Sequence, residues 1–134
     1  MVLMNPPHSL KIALIGIGKV AQSRTQAISE MSFFELSGLV SRRIGVGNKT
    51  FEEVLNDSSI SAVAISTENT NHAISVRKAL EANKHVLCDY PLALSSQEAA
   101  DLFQLSKERK KILQVEHIAL LTEAHQQFKK NIQT

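Results

Sequence analysis

The sequence predicts a three-layer α/β/α domain with a mainly parallel sheet of at least five strands. Three observations carry this. Short, dense apolar runs recur, at residues 11–15, 60–65 and 85–88 among others, and such runs suit strands buried on both faces. Amphipathic segments of helical period separate them. The two kinds alternate along the chain, and strand–helix–strand units specify right-handed crossovers and parallel pairing.

The elements follow in order. Residues 1–9 are expected as a flexible tail, because Pro6 and Pro7 cannot donate to a ladder. Residues 11–15 form the first strand, bounded by Gly16. A helix is predicted from Val20 to Ser29, with Val20, Ala27 and Ile28 near one face and Arg24 and Gln26 directed elsewhere. Residues 35–40 are a second strand, weakened by Gly38, and a looser stretch follows to residue 49. Thr50 with Glu53 three residues on has the spacing of a capping box, so a short helix starts there. Residues 60–65 are the third strand. Residues 71–82 form a helix with Ala73, Val76 and Leu80 in one stripe, and Asn83 takes the left-handed end position. Residues 85–88 are the fourth strand. Ser95 or Ser96 caps the next helix, a fifth strand covers 111–115, and a last helix covers 118–130. The domain is expected over 10–130, with 131–134 a second tail.

At 134 residues and 14.8 kDa the chain has room for one domain. Its 43% hydrophobic and 21% charged content argues against disorder. Cys88 stands alone, which excludes an internal disulfide framework and a four-cysteine zinc site. No apolar run approaches the roughly 18–20 residues that span a bilayer, and the N-terminus is a poor secretory signal. A cytoplasmic location is the expectation by elimination. The net charge of +2 is too small to argue for nucleic acid, and one Tyr with no Trp leaves few stacking platforms. The basic run at 107–111 is interrupted by Glu108 and reads as a solvated helix end.

Residues 16–21 read Gly-Ile-Gly-Lys-Val-Ala, a G-x-G-x-x-A pattern at a strand-to-helix turn. Gly16 permits the tight turn, Gly18 leaves the approach of a pyrophosphate clear, and Ala21 lets the helix come close to the sheet. The helix start, at Lys19 and Val20, offers free N–H groups and a favourable dipole to phosphate. This is the Rossmann-like context for dinucleotide binding; the alternative is a turn kept open for helix packing alone. No Gly-Lys-Ser/Thr follows, which argues against a nucleotide triphosphatase loop. Beyond the second strand, an acidic residue would hold the ribose hydroxyls of NAD. Ser41, Arg42 and Arg43 stand there instead. Guanidinium groups can make bidentate bonds to a 2′-phosphate, so NADP is the expected cofactor, with NADPH preferred over NADH. The alternative is an ordinary basic loop.

The glycine turn, followed by STENTNHAISVRKALEANKHVLCDYPLAL from residue 66, resembles the N-terminal nucleotide-binding domain of the glucose–fructose oxidoreductase and inositol dehydrogenase superfamily. VSRR at 40–43, KHVLCDYPLAL at 84–94 and KILQVEHIALL at 111–121 narrow the resemblance to its biliverdin reductase branch. The resemblance covers nearly all of residues 10–130. It implies an NAD(P)H-binding domain that normally precedes a second, substrate-binding domain, which is expected to be lacking here. The superfamily commonly has Glu-Lys-Pro where this chain has Asp89-Tyr90-Pro91, so the lysine that assists proton transfer is absent at Tyr90. The branch also has tyrosine there, after a glutamate that Asp89 replaces with a shorter side chain. His72 matches a superfamily histidine, and Glu116 and His117 match the branch's acidic and histidine positions.

In an open parallel sheet, hydride transfer takes place at the carboxyl ends of the strands. Ser66, Thr67, Asp89, Tyr90, Glu116 and His117 all fall there. Tyr90, Asp89, Glu116 and His117 are the candidate catalytic residues. Gly16, Gly18, Lys19, Val20, Ser41, Arg42, Arg43, Ser66, Thr67, His72 and Asp89 are the candidate cofactor residues, His72 being also a natural cap or loop hydrogen-bond partner. No close ligand pair supports a metal site, and Cys88 is expected to point into the core. The function implied is hydride transfer from the nicotinamide to a bilin or similar conjugated acceptor, if a partner or C-terminal domain completes the site. The alternative is a non-catalytic dinucleotide-binding or assembly module. The last helix carries Ile118, Leu121, His125 and Phe128 on one face, so a homodimer is expected, against a monomer in which that face folds back on its own sheet.

Overall fold

The structure, a computed structural model, describes residues 9–41, 47–116 and 123–133. The expected N-terminal tail therefore lies almost wholly outside the described residues. Five parallel strands form one sheet: β1 (Leu10–Ile15), β2 (Phe34–Val40), β3 (Ile60–Ile65), β4 (His85–Asp89) and β5 (Leu113–Glu116). Their order across the sheet is β2-β1-β3-β4-β5. Helices α1 (Lys19–Ser29), α2 (Phe51–Asn56), α3 (His72–Glu81), α4 (Ser96–Arg109) and α5 (Glu123–Gln133) follow the strands in turn. A single 3₁₀ turn, Asn69–Asn71, leads into α3.

Lys49 makes an isolated parallel bridge to Val40. Because β1 already occupies one side of β2, this bridge lies on the outer side. Counting it as a vestigial strand turns the order into 3-2-1-4-5-6, that of dinucleotide-binding sheets. Either way the chain reverses direction between β1 and β3, which opens a crevice above their carboxyl ends.

The local signals in the sequence are realised in the backbone. Thr50 Oγ1 accepts from the Glu53 N–H at 3.1 Å while the Glu53 carboxylate accepts from the Thr50 N–H at 3.4 Å, completing the capping box. Asn83 has φ of 61°. Ser95 caps α4 by accepting from the Glu98 N–H at 3.1 Å. Element boundaries differ from expectation by one to three residues, most plainly toward the C-terminal end. β5 begins at Leu113 rather than 111, since Lys111 N–H is taken by Ser106 C=O at 2.9 Å as α4 ends. α5 is described from Glu123, its expected start at 118 lying outside the described residues, and it runs through Gln133, so most of the expected 131–134 tail is helical.

Side chains alternate across the strands. Ala13, Ile15, Val63, Ile65, Val86 and Cys88 point to one face, where Val54 of α2, Val76 and Leu80 of α3, and Leu102 of α4 complete the core. The crossover rule puts α1 on the other face. At the opposite, amino-terminal edge of the sheet, buried Lys84 donates from Nζ to the carbonyls of Asp57 at 2.5 Å and Ile60 at 2.7 Å. These bonds fasten the entries to β3 and β4. No helix among the described residues is long and apolar enough to cross a membrane.

Candidate functional site

A groove of about 1000 Å³ lies over the carboxyl ends of β1, β2 and β3. Its floor is the Gly16–Ile17 turn, and Ser41, Asn48, Thr67, Glu68 and Lys78 stand around it. Two hydrogen bonds fix the floor: Gly16 N–H donates to Val40 C=O at 2.9 Å and Ser66 N–H donates to Ile15 C=O at 2.8 Å. Gly16 has φ of 107°, and a Cβ there would lie 2.3 Å from the Ser66 carbonyl oxygen. The turn therefore admits only glycine.

Gly18 differs. It is the N-cap of α1, it has no side chain to cap the helix, and nothing lies within 4 Å of where a Cβ would stand. Lys19 and Val20 beside it are exposed. The start of the helix thus faces open space, as a phosphate-binding turn requires. Thr67 Oγ1, on the groove wall, is buried without a hydrogen-bond partner. A clear approach at Gly18 and an unsatisfied hydroxyl on the wall both fit a bound dinucleotide. Half-buried Ser41 lines the same groove. Arg42, Arg43 and His117 lie outside the described residues.

The ends of β3, β4 and β5 meet at a residue that sequence reasoning missed. Arg24, expected to point away, turns inward from α1. Its Nη1 donates to Ser66 Oγ, and its Nη2 donates to Asp89 Oδ1 at 2.5 Å and to Glu116 Oε2. The inward stripe of α1 is Ala21, Arg24, Thr25 and Ile28, whereas Val20 and Ala27 are exposed. That corrects the expected face. Apolar spacing drew attention to Val20 and Ala27, but the small Ala21 sets the face that meets the sheet, and Arg24 lies one turn further along it. Arg24 is also the one charged residue between Lys19 and Glu30, a signal that a hydrogen-bonding role was available. The side chains of Arg24, Asp89 and Glu116 are 12%, 22% and 31% exposed. Both carboxylates are therefore held by a cation.

His72 is 1% exposed. Its Nδ1 lies 2.7 Å from Pro91 C=O and its Nε2 2.9 Å from Thr67 C=O. With both ring nitrogens facing backbone carbonyls, His72 ties the loop after β3 to the loop after β4, the loop-partner role its sequence position allowed. Tyr90 follows Asp89 and is 66% exposed, with a cis bond to Pro91. Beside it a smaller cleft of about 380 Å³ is lined by Pro91, Leu94, Phe103 and Val115. Cys88 is wholly buried, and burial pushes its thiol up to about 12. Among the described residues no group of three or more His, Cys, Asp or Glu could hold a metal ion.

With this geometry in place, similarities to known proteins are informative. A family model described as oxidoreductase family, NAD-binding Rossmann fold, matches residues 10–117. Biliverdin reductase A of Mus musculus is 31% identical over 135 residues, and that of Homo sapiens 30% over 136. Each alignment covers 95% of this chain and 46% of the relative, so the chain spans about half the length of these proteins. Among solved structures, biliverdin reductase of Synechocystis sp. PCC 6803, in complex with biliverdin and NADP+, superposes with a TM-score of 0.85 at 30% identity. That match covers 92% of this chain and 42% of the other.

Proposed function

The chain belongs to the oxidoreductase family with the NAD-binding Rossmann fold, and on that premise we propose that it binds NADPH in preference to NADH and presents it to a bilin or similar conjugated acceptor. The observation that carries the reading is the paired geometry of the turn: Gly16 is closed against Ser66 while Gly18 is left clear. The similarity to biliverdin reductases supports the choice of acceptor.

When bound, the reduced nicotinamide supplies a hydride. The rest falls to this chain's residues. The N–H groups opening α1 would hold the pyrophosphate, and Ser41, Arg42 and Arg43 would hold the 2′-phosphate by hydrogen bonds to its charged oxygens. Thr67 Oγ1 gains a partner. Tyr90 offers its hydroxyl to a pyrrole or carbonyl group of the acceptor, and His117, which follows Glu116 in the sequence, is a candidate proton donor. Asp89 and Glu116 are oriented by Arg24.

The exposure of Tyr90 favours a second element in the reading. Hydride transfer needs water excluded, and an open shelf does not exclude it. A second copy of the chain or a separate substrate domain would cover it. Light scattering over a concentration series tests the homodimer: a mass near 14.8 kDa at about 100 μM would contradict it. The same exposure favours, as the second reading, a module that binds the dinucleotide without turning it over. Following NADPH oxidation with biliverdin against a protein-free control separates the two. Slow, protein-dependent oxidation supports hydride transfer; oxidation no faster than the control leaves the binding module.

A further inference from the structure

We infer that the Arg24–Asp89–Glu116 cluster sets the relative affinity for the oxidised and reduced forms of the cofactor. The inference rests on the dinucleotide reading above. One guanidinium lies between two carboxylates, so the cluster carries one net negative charge when both acids are ionised. It sits at the carboxyl ends of β4 and β5, and Arg24 also bonds Ser66 just beyond β3. A dinucleotide laid across this edge at the β1/β3 crevice puts one nucleotide on each side. The adenosine half would go toward β2 and Ser41, and the nicotinamide half toward the cluster.

The nicotinamide ring is positively charged when oxidised and neutral when reduced. A half-buried negative cluster beside it therefore favours NADP+ over NADPH. In the bound state this makes the reduced form the stronger hydride donor. The effect needs no motion and no new contact, only the sign of the cluster. Arg24 is a positioning residue in this scheme: it holds both carboxylates at the shelf and offsets one of the two negative charges.

The sign makes opposite predictions for substitutions in one cluster. Glu116→Gln, or Asp89→Asn, leaves the cluster neutral and should raise the ratio Kd(NADP+)/Kd(NADPH) about tenfold. That is the size expected for a unit charge about 8 Å away at a half-exposed site. For a two-electron couple, tenfold corresponds to about 30 mV in the potential of the bound cofactor. Arg24→Gln leaves two negative charges and should lower the same ratio about tenfold, while Arg24→Lys should stay near wild type. A purely structural role would weaken both forms together and leave the ratio unmoved. Calorimetric or fluorescence titration of the intact chain with NADP+ and with NADPH reads the ratio without turnover. Opposite shifts for Glu116→Gln and Arg24→Gln support the inference. A ratio within about twofold of wild type in every variant, or a shift of the same sign in both, overturns it. Should Arg24→Gln fail to fold, the two amide variants still decide: a flat ratio in both overturns it. Failure of the wild-type chain to bind either form overturns the dinucleotide reading itself, and is distinguishable from a flat ratio.

Discussion

Replacing Gly16 and Gly18 one at a time should separate the two jobs of the phosphate turn. A Cβ at Gly16 would sit 2.3 Å from the Ser66 carbonyl oxygen and 2.8 Å from its carbon. These are backbone atoms at the end of β3, so they retreat only if the strand end moves. The Ser66 N–H bond to Ile15 would stretch with them. An L side chain at φ of 107° adds about 1–2 kcal/mol. A weakened backbone hydrogen bond adds about 1 kcal/mol. Gly16→Ala should therefore cost about 3 kcal/mol, a large share of the roughly 5–15 kcal/mol that holds a domain together. In urea that moves the midpoint down by about 1–2 M. A Cβ at Gly18 meets nothing within 4 Å, so Gly18→Val should cost at most about 1 kcal/mol through the N-cap. It should nevertheless weaken NADPH at least about tenfold, because the side chain enters the pyrophosphate approach. Urea denaturation and NADPH titration of both variants check this. A wild-type midpoint for Gly16→Ala, or unchanged NADPH binding by Gly18→Val, would contradict this division of roles.

Other outcomes follow from burial and titration. Cys88 has its thiol pushed up to about 12 by burial, with the Asp89 carboxylate adding to it, so thiol reagents at about pH 8 should label it only as fast as the domain opens. The folded state holds its proton above the ordinary value of 9.0, so stability should fall as pH rises from about 9 toward 12. Burial, then Lys111, lowers His85, whose Nδ1 accepts the Ile112 N–H at 3.0 Å. The unfolded chain binds this proton more readily, so thermal denaturation should show stability falling as pH drops below 6.5. His85→Leu should remove most of that dependence.

Much of this fold was legible because its signals are local. The apolar run at 60–65 is β3 to the residue, and Thr50 with Glu53 declared its capping box. Asn83 is left-handed where a helix end asked for it. What escaped the sequence depends on distant partners. Arg24 is a polar residue on a helix, and its inward turn is decided by Ser66, Asp89 and Glu116, up to 92 positions away. Nothing in its neighbours singles out Lys84, which is drawn inward by two carbonyls at the foot of β3. The vestigial strand at Lys49 escaped because a single bridge leaves no periodic pattern. The strand-end residues of the site were found because topology alone puts carboxyl ends on one edge. Their mutual pairing was not found, because it runs through Arg24, a side chain that periodicity directed away from the apolar face.

If the groove holds a 2′-phosphorylated dinucleotide, parallel titration of the chain with NADPH and NADH will show it. NADPH should bind more tightly by about 5- to 150-fold, the worth of a charged bidentate phosphate contact, and Arg42→Ala should remove most of the difference. Equal affinity for the two cofactors, before and after that substitution, would contradict it.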